Sequence, residues 1–173
     1  MAKYTGVSAS AGIALIVPAT TGGHPTLWNP QGSGVNVAVR RLELSYVSGT
    51  NAPTAIEWAA VTNAGTTHGT GAPVATATIV APNGTLGSGV SNKAKWSPTT
   101  NTFTAAPVYL RPSGISLFTG AAATAVAPFV LVATYEADEF LLGPSSLVCL
   151  CTQAATTTAL FQVAVTWEEI DIA

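Results

Sequence analysis

The stretch "TALFQVAVTWEEIDIA", residues 158–173, is the clearest indicator of the fold of this chain, because apolar and polar residues alternate along it. Successive side chains of an extended strand point to opposite faces. One face would carry Ala159, Phe161, Val163, Val165 and Trp167, and the other Gln162, Ala164, Thr166 and Glu168. We therefore predict a strand with one buried face that includes Trp167, and its alternation should fix the pairing register.

Similar β-rich segments recur along the whole chain, bounded by Gly-, Pro- and Asn-rich turns, whereas helix patterns are nearly absent. The further strands are predicted at residues 13–17, 35–47, 55–61, 73–80, 107–118, 128–136, 139–142 and 146–151. We predict one all-β domain over residues 1–173, an antiparallel β-sandwich of eight or nine strands with a jelly roll as the preferred topology. In that topology the last strand lies inside a sheet, next to the first long strand.

The first long strand, "VNVAVRRLELSYV" at 35–47, changes its apolar phase at Arg40 and Arg41. A switch of one residue is what a β-bulge produces, so we predict a bulge there. Because this strand should adjoin the last one, Arg40 or Arg41 could pair with Glu168 or Glu169 across the sheet. Such a pair contributes about 0.2–1 kcal/mol.

The segment at 83–105, "NGTLGSGVSNKAKWSPTTNTFTA", is polar and has the weakest strand pattern. A long loop in a compact domain is either functional or a sign of missed strands. Two interpretations stay open: a contact arm that binds a partner through Lys93, Lys95 and Trp96, or an excursion whose Trp96 folds back on the core.

The composition points to an assembled protein. Of the 173 residues, 48% are hydrophobic and 8% charged, with a net charge of -2, whereas about 25% charged residues is usual. Such a surface repels its own copies weakly, so we predict a homo-oligomer; the alternative is a monomer with a bland surface. We expect neither nucleic acid nor membrane as a partner, because there is no basic excess and no run of about 18 apolar residues.

Two cysteines, Cys149 and Cys151, lie two residues apart in "SLVCLCTQ" and should share one face of a strand. We interpret them as small, reduced core residues, since two thiols with two histidines in the chain make a poor zinc site. This fits synthesis in a reducing cytoplasm, as does an apolar patch at 13–17 too short for a secretory signal. His24 and His68 lie in Gly-rich turns and are predicted to be exposed.

No motif for catalysis stands out. The chain has neither the G-x-S-x-G of a nucleophile elbow nor the G-K-[ST] of a phosphate-binding loop. The acidic turn "YEADEF" at 135–140 holds Glu136, Asp138 and Glu139. It could serve acid–base chemistry or bind calcium, but a solvated turn is the preferred interpretation. We expect no catalytic residue, no metal and no cofactor, and we expect that the protein is not an enzyme.

Two stretches carry a resemblance to a known group of proteins. "LWNPQGSGVNVAVRRLELSYVSGT" at 27–50 and "FLLGPSSLVCLCTQAATTTALFQVAVTWEEI" at 140–170 resemble small β-sandwich virion proteins of tailed bacteriophages, a group that includes capsid decoration, or cement, proteins. The resemblance implies a jelly-roll-like fold, frequent trimers, a place in the virion, and the major capsid protein or another virion protein as partner. It implies no catalytic residues.

Three functions follow as hypotheses. The first is a decoration protein that stabilises a bacteriophage capsid through apolar and hydrogen-bonded contacts. The alternative is a tail fibre or spike head domain that binds a host-surface glycan, with Trp96 and the acidic turn as its candidate residues. A carbohydrate-active enzyme is the third, and it would need two carboxylates facing one cleft.

Overall fold

The computed structural model describes residues 2–8, 10–49, 55–61, 79–80, 93–98, 100–116, 130–136, 138–154 and 158–172. Within these ranges every regular element is a strand. The strands are β1 (Ala2–Val7), β2 (Thr21–Gly23), β3 (Thr26–Asn29), β4 (Val35–Ser48), β5 (Ala55–Val61), β6 (Ile79–Val80), β7 (Lys95–Ser97), β8 (Thr100–Thr102), β9 (Val108–Ser116), β10 (Val130–Thr134), β11 (Leu141–Leu142), β12 (Ser146–Thr152) and β13 (Leu160–Asp171).

The strands form two large antiparallel sheets and one small one. The first sheet has the order β10-β4-β13-β1-β6, with β11 also paired to β4, and the second has the order β7-β3-β12-β5-β9. Strands β2 and β8 form a separate pair. The prediction of an all-β antiparallel sandwich is confirmed.

The topology is that of a jelly roll. If the five shortest strands are set aside, eight remain. Counted along the chain, the first, eighth, third and sixth of them are neighbours in one sheet, and the second, seventh, fourth and fifth in the other. This order is two interleaved Greek keys, which defines a jelly roll. The last strand lies in the middle of its sheet, between β4 and β1, as predicted.

The predicted bulge is present in β4. Thr166 of β13 faces Arg41, whereas the next residue, Trp167, faces Val39, so Arg40 is the extra residue. The bulge lets the apolar residues before and after it face the same core, although their spacing is out of phase. These residues, Val35, Val37, Val39, Leu42 and Leu44, are all buried.

The predicted strand at 13–17 is wrong. Ile13 forms a bridge to Phe161 of the first sheet, whereas the carbonyl of Ile16 accepts a hydrogen bond from the Thr152 N–H of the second sheet, at 3.0 Å. The segment therefore crosses from one sheet to the other at the end of the sandwich, and β1 is the first strand instead. Of the predicted strand at 73–80, the structure describes only β6.

Trp96 lies inside the sandwich. Its side chain is fully buried among the main core residues. A Cβ added at Gly6 of β1 would stand 2.4 Å from the Trp96 ring, so the indole occupies the space that a side chain there would fill. The predicted partner contact is therefore wrong for Trp96. It folds back on the core because β7 pairs with β3 and carries it inward.

The predicted cross-strand ion pair forms between Arg40 and Glu168, which share a pair of hydrogen bonds. Arg41 and Glu169 do not pair across the sheet. Arg41 contacts Glu43 on the same face of its own strand, at 2.5 Å, and Glu169 accepts hydrogen bonds from the backbone N–H groups of residues 93 and 94 at 2.8 and 2.7 Å. Glu169 thus holds the chain that enters β7 against β13.

A second, smaller apolar cluster covers the outer face of the second sheet. Its buried members are Trp28, Ala59, Val61, Phe103, Leu147, Cys149 and Cys151. Phe103 follows β8, and its N–H donates to the carbonyl of Thr20 at 2.7 Å, which ties the β2–β8 pair to this surface. The outer face of the second sheet is therefore packed rather than solvated, and it holds the chemically distinct groups described next.

Candidate functional site

Three side chains with metal-binding and nucleophilic chemistry meet in that outer cluster. Val148 and Leu150 of β12 belong to the main core, so the alternation of the strand turns Cys149 and Cys151 to the other face. His24, just before β3, packs its ring on Phe103 with centroids 5.5 Å apart.

His24 is fully buried, so its predicted exposure is wrong. The physical reason is that its turn is fastened from two sides: the carbonyl of His24 accepts hydrogen bonds from Thr26 Oγ1 and from Asn101 Nδ2, both at 2.7 Å. These bonds hold the residue under the β2–β8 layer. His68 lies outside the described residues.

The polar atoms of the three residues are close together. The Sγ atoms of Cys149 and Cys151 are 3.7 Å apart, and Cys151 Sγ is 3.4 Å from His24 Nδ1. All three donor atoms lie within 4.8 Å of one another. Both thiols are free and buried, as predicted for small core residues. Nδ1 also lies 3.4 Å from the carbonyl oxygen of Leu150, whereas Nε2 has no hydrogen-bond partner among the described residues.

The two thiols differ in their proton affinity. Hydrogen bonding from Cys149 and, to a smaller degree, the neighbouring His24 lower the pKa of Cys151 to about 6, against the effect of burial. Burial raises the pKa of Cys149, which also holds the proton shared with Cys151. The cluster therefore favours one thiolate, on Cys151, hydrogen-bonded to one thiol.

Two further polar groups border the cluster. Glu57 of β5 faces Cys151 directly in the register of β5 and β12, and it is buried with a hydrogen bond from Gln153 Nε2. Tyr109 donates its hydroxyl proton to the carbonyl of Thr152 at 2.8 Å. Burial raises the pKa of Tyr109, and the negative charges of Cys151 and Glu57 raise it further. A cation among these groups would be stabilised by the negative charges of Glu57 and Cys151.

A second feature is an exposed apolar edge, formed by Val108, Tyr109 and Leu110 of β9 together with Leu141 of β11. The exposed fractions of these side chains are 67%, 42%, 52% and 45% respectively. Among the described strands, β9 is the last of its sheet and pairs only with β5. Its outer backbone groups therefore face away from the sheet, beside aliphatic side chains.

A groove of about 340 Å³ opens on the apolar edge. Leu110 and Leu141 form its rim, and Ala60, Phe140 and Leu147 are among the residues that line it. None of the described residues that line it carries a charge. The groove therefore offers an uncharged surface of mixed polar and apolar groups, of a size suited to one or two aliphatic side chains of another chain.

The acidic turn at 135–140 has a structural task. Arg111 of β9 contacts Glu139 at 2.5 Å and packs over the rings of Tyr135 and Phe140, 5.1 and 5.5 Å from their centroids. The other Glu139 oxygen accepts the N–H of Glu136 at 3.1 Å. Hydrogen bonding from Arg111 lowers the pKa of the Glu139 carboxyl. The turn thus links the end of β10 to β9 of the other sheet.

The two lysines predicted to contact a partner, Lys93 and Lys95, lie just before β7 and at its first residue. Lys93 is exposed and pairs with Asp171 at 3.2 Å, while Lys95 is half-buried within β7. Partner contact by Lys93 and Lys95 stays a prediction.

Sequence reasoning missed His24 as a neighbour of the cysteines. The signal that could have found it is topological: in a jelly roll the second main strand pairs with the seventh, and these are β3, which follows His24, and β12, which carries Cys149 and Cys151. The order of strands, rather than a local motif, brings the three residues together.

Across the described residues, no helix is long and apolar enough to cross a membrane. The chain matches no protein-family model. No curated protein and no solved structure is significantly similar to it.

Proposed function

We propose that this protein is a structural component of a bacteriophage particle that decorates the capsid and stabilises it. The observation that carries the proposal is the apolar edge, where exposed aliphatic side chains and an uncharged groove adjoin β9, which pairs only with β5 among the described strands. Contiguous exposed apolar surface is characteristic of protein–protein contact sites. The jelly roll is a fold that viral capsid proteins use repeatedly.

The protein would stabilise the particle through the surface area that its contacts bury, with little contribution from charge. A strand of a neighbouring protein can pair with the outer backbone groups of β9, while its apolar side chains enter the groove between Leu110 and Leu141. Oligomerisation, for which we propose a trimer, would multiply a modest contact by avidity. The major capsid protein, or another virion protein, is the partner we propose.

The glycan-binding alternative loses support from the positions of its candidate residues. Trp96 is fully buried and cannot act as an aromatic platform for a sugar ring. Glu139 of the acidic turn is engaged with Arg111. We therefore keep the decoration role as the proposal, and host binding becomes an outcome of its test.

The test combines particles and free protein. Particles with and without this protein are heated, and genome release is followed; complete particles should release their genome at a higher temperature. Sedimentation of the free protein should show an oligomer that persists in about 1 M salt, where charges are screened beyond about 3 Å. A salt-labile monomer, whose loss leaves release unchanged but abolishes adsorption to cells, would refute the proposal.

A matched pair of variants locates the contact. Val108→Lys places a charge on the apolar edge and should abolish binding to particles lacking the protein. Val47→Lys changes another exposed valine, in β4 of the first sheet, and should bind normally. Equal binding by the two variants would exclude the apolar edge as the contact surface.

A further inference from the structure

We propose that His24, Cys149 and Cys151 bind one zinc ion on the outer face of the second sheet. The site is independent of the proposed role on a capsid, and it replaces the expectation from the sequence that the chain binds no metal. His24 lies in the turn before β3, and the two cysteines lie in β12. Strands β3 and β12 pair directly, so the three residues are brought together by the second sheet.

The distances between the donor atoms are those of a metal site. Two thiolates and an imidazole nitrogen bound to one tetrahedral Zn²⁺ stand about 3.5–3.8 Å from one another, given the usual Zn–S and Zn–N bond lengths. The observed separations are 3.7 Å between the sulfurs and 3.4 Å between Cys151 Sγ and His24 Nδ1. The remaining pair, Cys149 Sγ and the His24 nitrogen, lies within 4.8 Å, so one of these two side chains would have to move closer to the ion.

The donor set selects the ion. Thiolate and imidazole ligands exclude Ca²⁺ and Mg²⁺, which prefer oxygen. Two thiolates and a neutral imidazole neutralise a divalent ion, and a neutral site is the least costly to bury. Cu⁺ suits the same ligands, but it would leave a net negative charge beside the buried carboxylate of Glu57. The observations therefore favour Zn²⁺.

A disulfide explains the cysteines less well. The Cα atoms of residues two apart on a strand are about 6.5 Å apart, near the upper limit that a disulfide spans. A purely apolar role for the two thiols accounts neither for the imidazole buried beside them nor for the 3.4 Å approach of Cys151 Sγ to His24 Nδ1. A metal ion gives all three polar side chains one partner.

A zinc ion at this site would connect the outer β2–β8 layer to the second sheet. His24 directly follows β2, which pairs with β8 in the outer layer, whereas the cysteines belong to the second sheet. An ion bound by both would fasten this outer layer to the sandwich, because metal binding to the folded chain alone stabilises it.

Binding is measured on the full chain, after treatment with a chelator under reducing conditions. Zn²⁺ should bind in a ratio of one ion per chain, with a dissociation constant of about 1 µM or lower, weaker than a four-ligand structural site. Co²⁺ serves as a spectroscopic substitute, and it should give the near-ultraviolet charge-transfer band of thiolate ligands. Absence of this band, or no Zn²⁺ binding at about 100 µM, would overturn the proposal.

Variants assign the ligands. The double variant Cys149→Ala/Cys151→Ala should bind Zn²⁺ at least about 100-fold more weakly, whereas His68→Ala, a change of the other histidine in the chain, should bind as the wild type does. Undiminished binding by the double variant would show that the ion binds elsewhere.

Alkylation of the wild-type protein gives a test that does not depend on the folding of a variant. Because both thiols are buried, the reaction is run in enough urea for iodoacetamide to modify them in the metal-free protein. Zn²⁺ should then slow the reaction, and a chelator should restore it, as mass spectrometry of the two modified residues will show. Equal alkylation with and without Zn²⁺ would refute coordination by Cys149 and Cys151.

Discussion

Gly6 of β1 is the position where the smallest substitution should have a large effect. In an ordinary strand, Gly→Ala stabilises by roughly 0.5–1 kcal/mol, because glycine loses more conformational freedom on folding. Here the added methyl group would meet Cδ1 and Cγ of Trp96 at 2.4 Å, more than 1 Å inside the usual contact distance of about 3.5–4.0 Å between carbons. The sign of the effect therefore reports whether the two groups touch.

The size of the destabilisation depends on how little room the Trp96 indole has to move. Trp96 is fully buried, and overpacking such a core costs about 1–3 kcal/mol and occasionally more. We expect Gly6→Ala to lower the free energy of unfolding by about 2 kcal/mol, which for a chain of this length lowers Tm by about 4–8 °C.

The assay is unfolding in guanidinium chloride, followed by far-UV circular dichroism. Gly143→Ala is the matched control, since the nearest atom to its added Cβ lies at 3.8 Å, and it should change stability by less than about 1 kcal/mol. In a Trp96→Leu background, Gly6→Ala should no longer destabilise, which gives a coupling energy of about 2 kcal/mol. If Gly6→Ala alone is as stable as the wild type, β1 and Trp96 do not pack as described.

Three further experiments test the core and the bulge in the same unfolding assay. Trp167→Ala removes a fully buried indole and should cost about 3–5 kcal/mol; a cost below about 1 kcal/mol would place β13 outside the sandwich. Tyr135→Phe removes the acceptor of the Trp58 Nε1 proton, now at 2.7 Å, and should cost about 1–3 kcal/mol because a buried donor is left unpaired; an unchanged stability would contradict that bond. A double-mutant cycle of Arg40→Ala and Glu168→Gln should give a coupling of about 1 kcal/mol, whereas strictly additive effects would show that the ion pair contributes nothing.

The sequence was most informative where one strand carried its own pattern. The alternation in β13 and the phase switch in β4 depend on residues that are neighbours in the chain. They correctly predicted the burial of Trp167 and the bulge at Arg40. A register that turns a whole apolar face inward is strongly specified, which is why these predictions held.

The sequence was least informative where a contact depends on two distant strands. The packing of Trp96 on Gly6 joins β7 to β1, and no local pattern records it. Strands β7 and β8 have three residues each, too few to show an alternation, so the sequence at 83–105 does not decide between a contact arm and an excursion that folds back on the core. The sequence predicts an exposed His24 for a similar reason, because the layer that covers it comes from the distant strand β8 as well as from β2.

The central position of β13 has a consequence for how the protein is made. The first described strand, β1, has the last described strand, β13, as its main partner, since Ala2 pairs with Glu169. During synthesis β1 and β4 therefore cannot be joined into one sheet until β13, which lies between them, has emerged from the ribosome. Folds dominated by such distant pairings have high contact order and fold slowly. The nascent chain exposes unpaired strand edges throughout that interval, so chaperone binding should matter more to its yield than the stability of the finished sandwich.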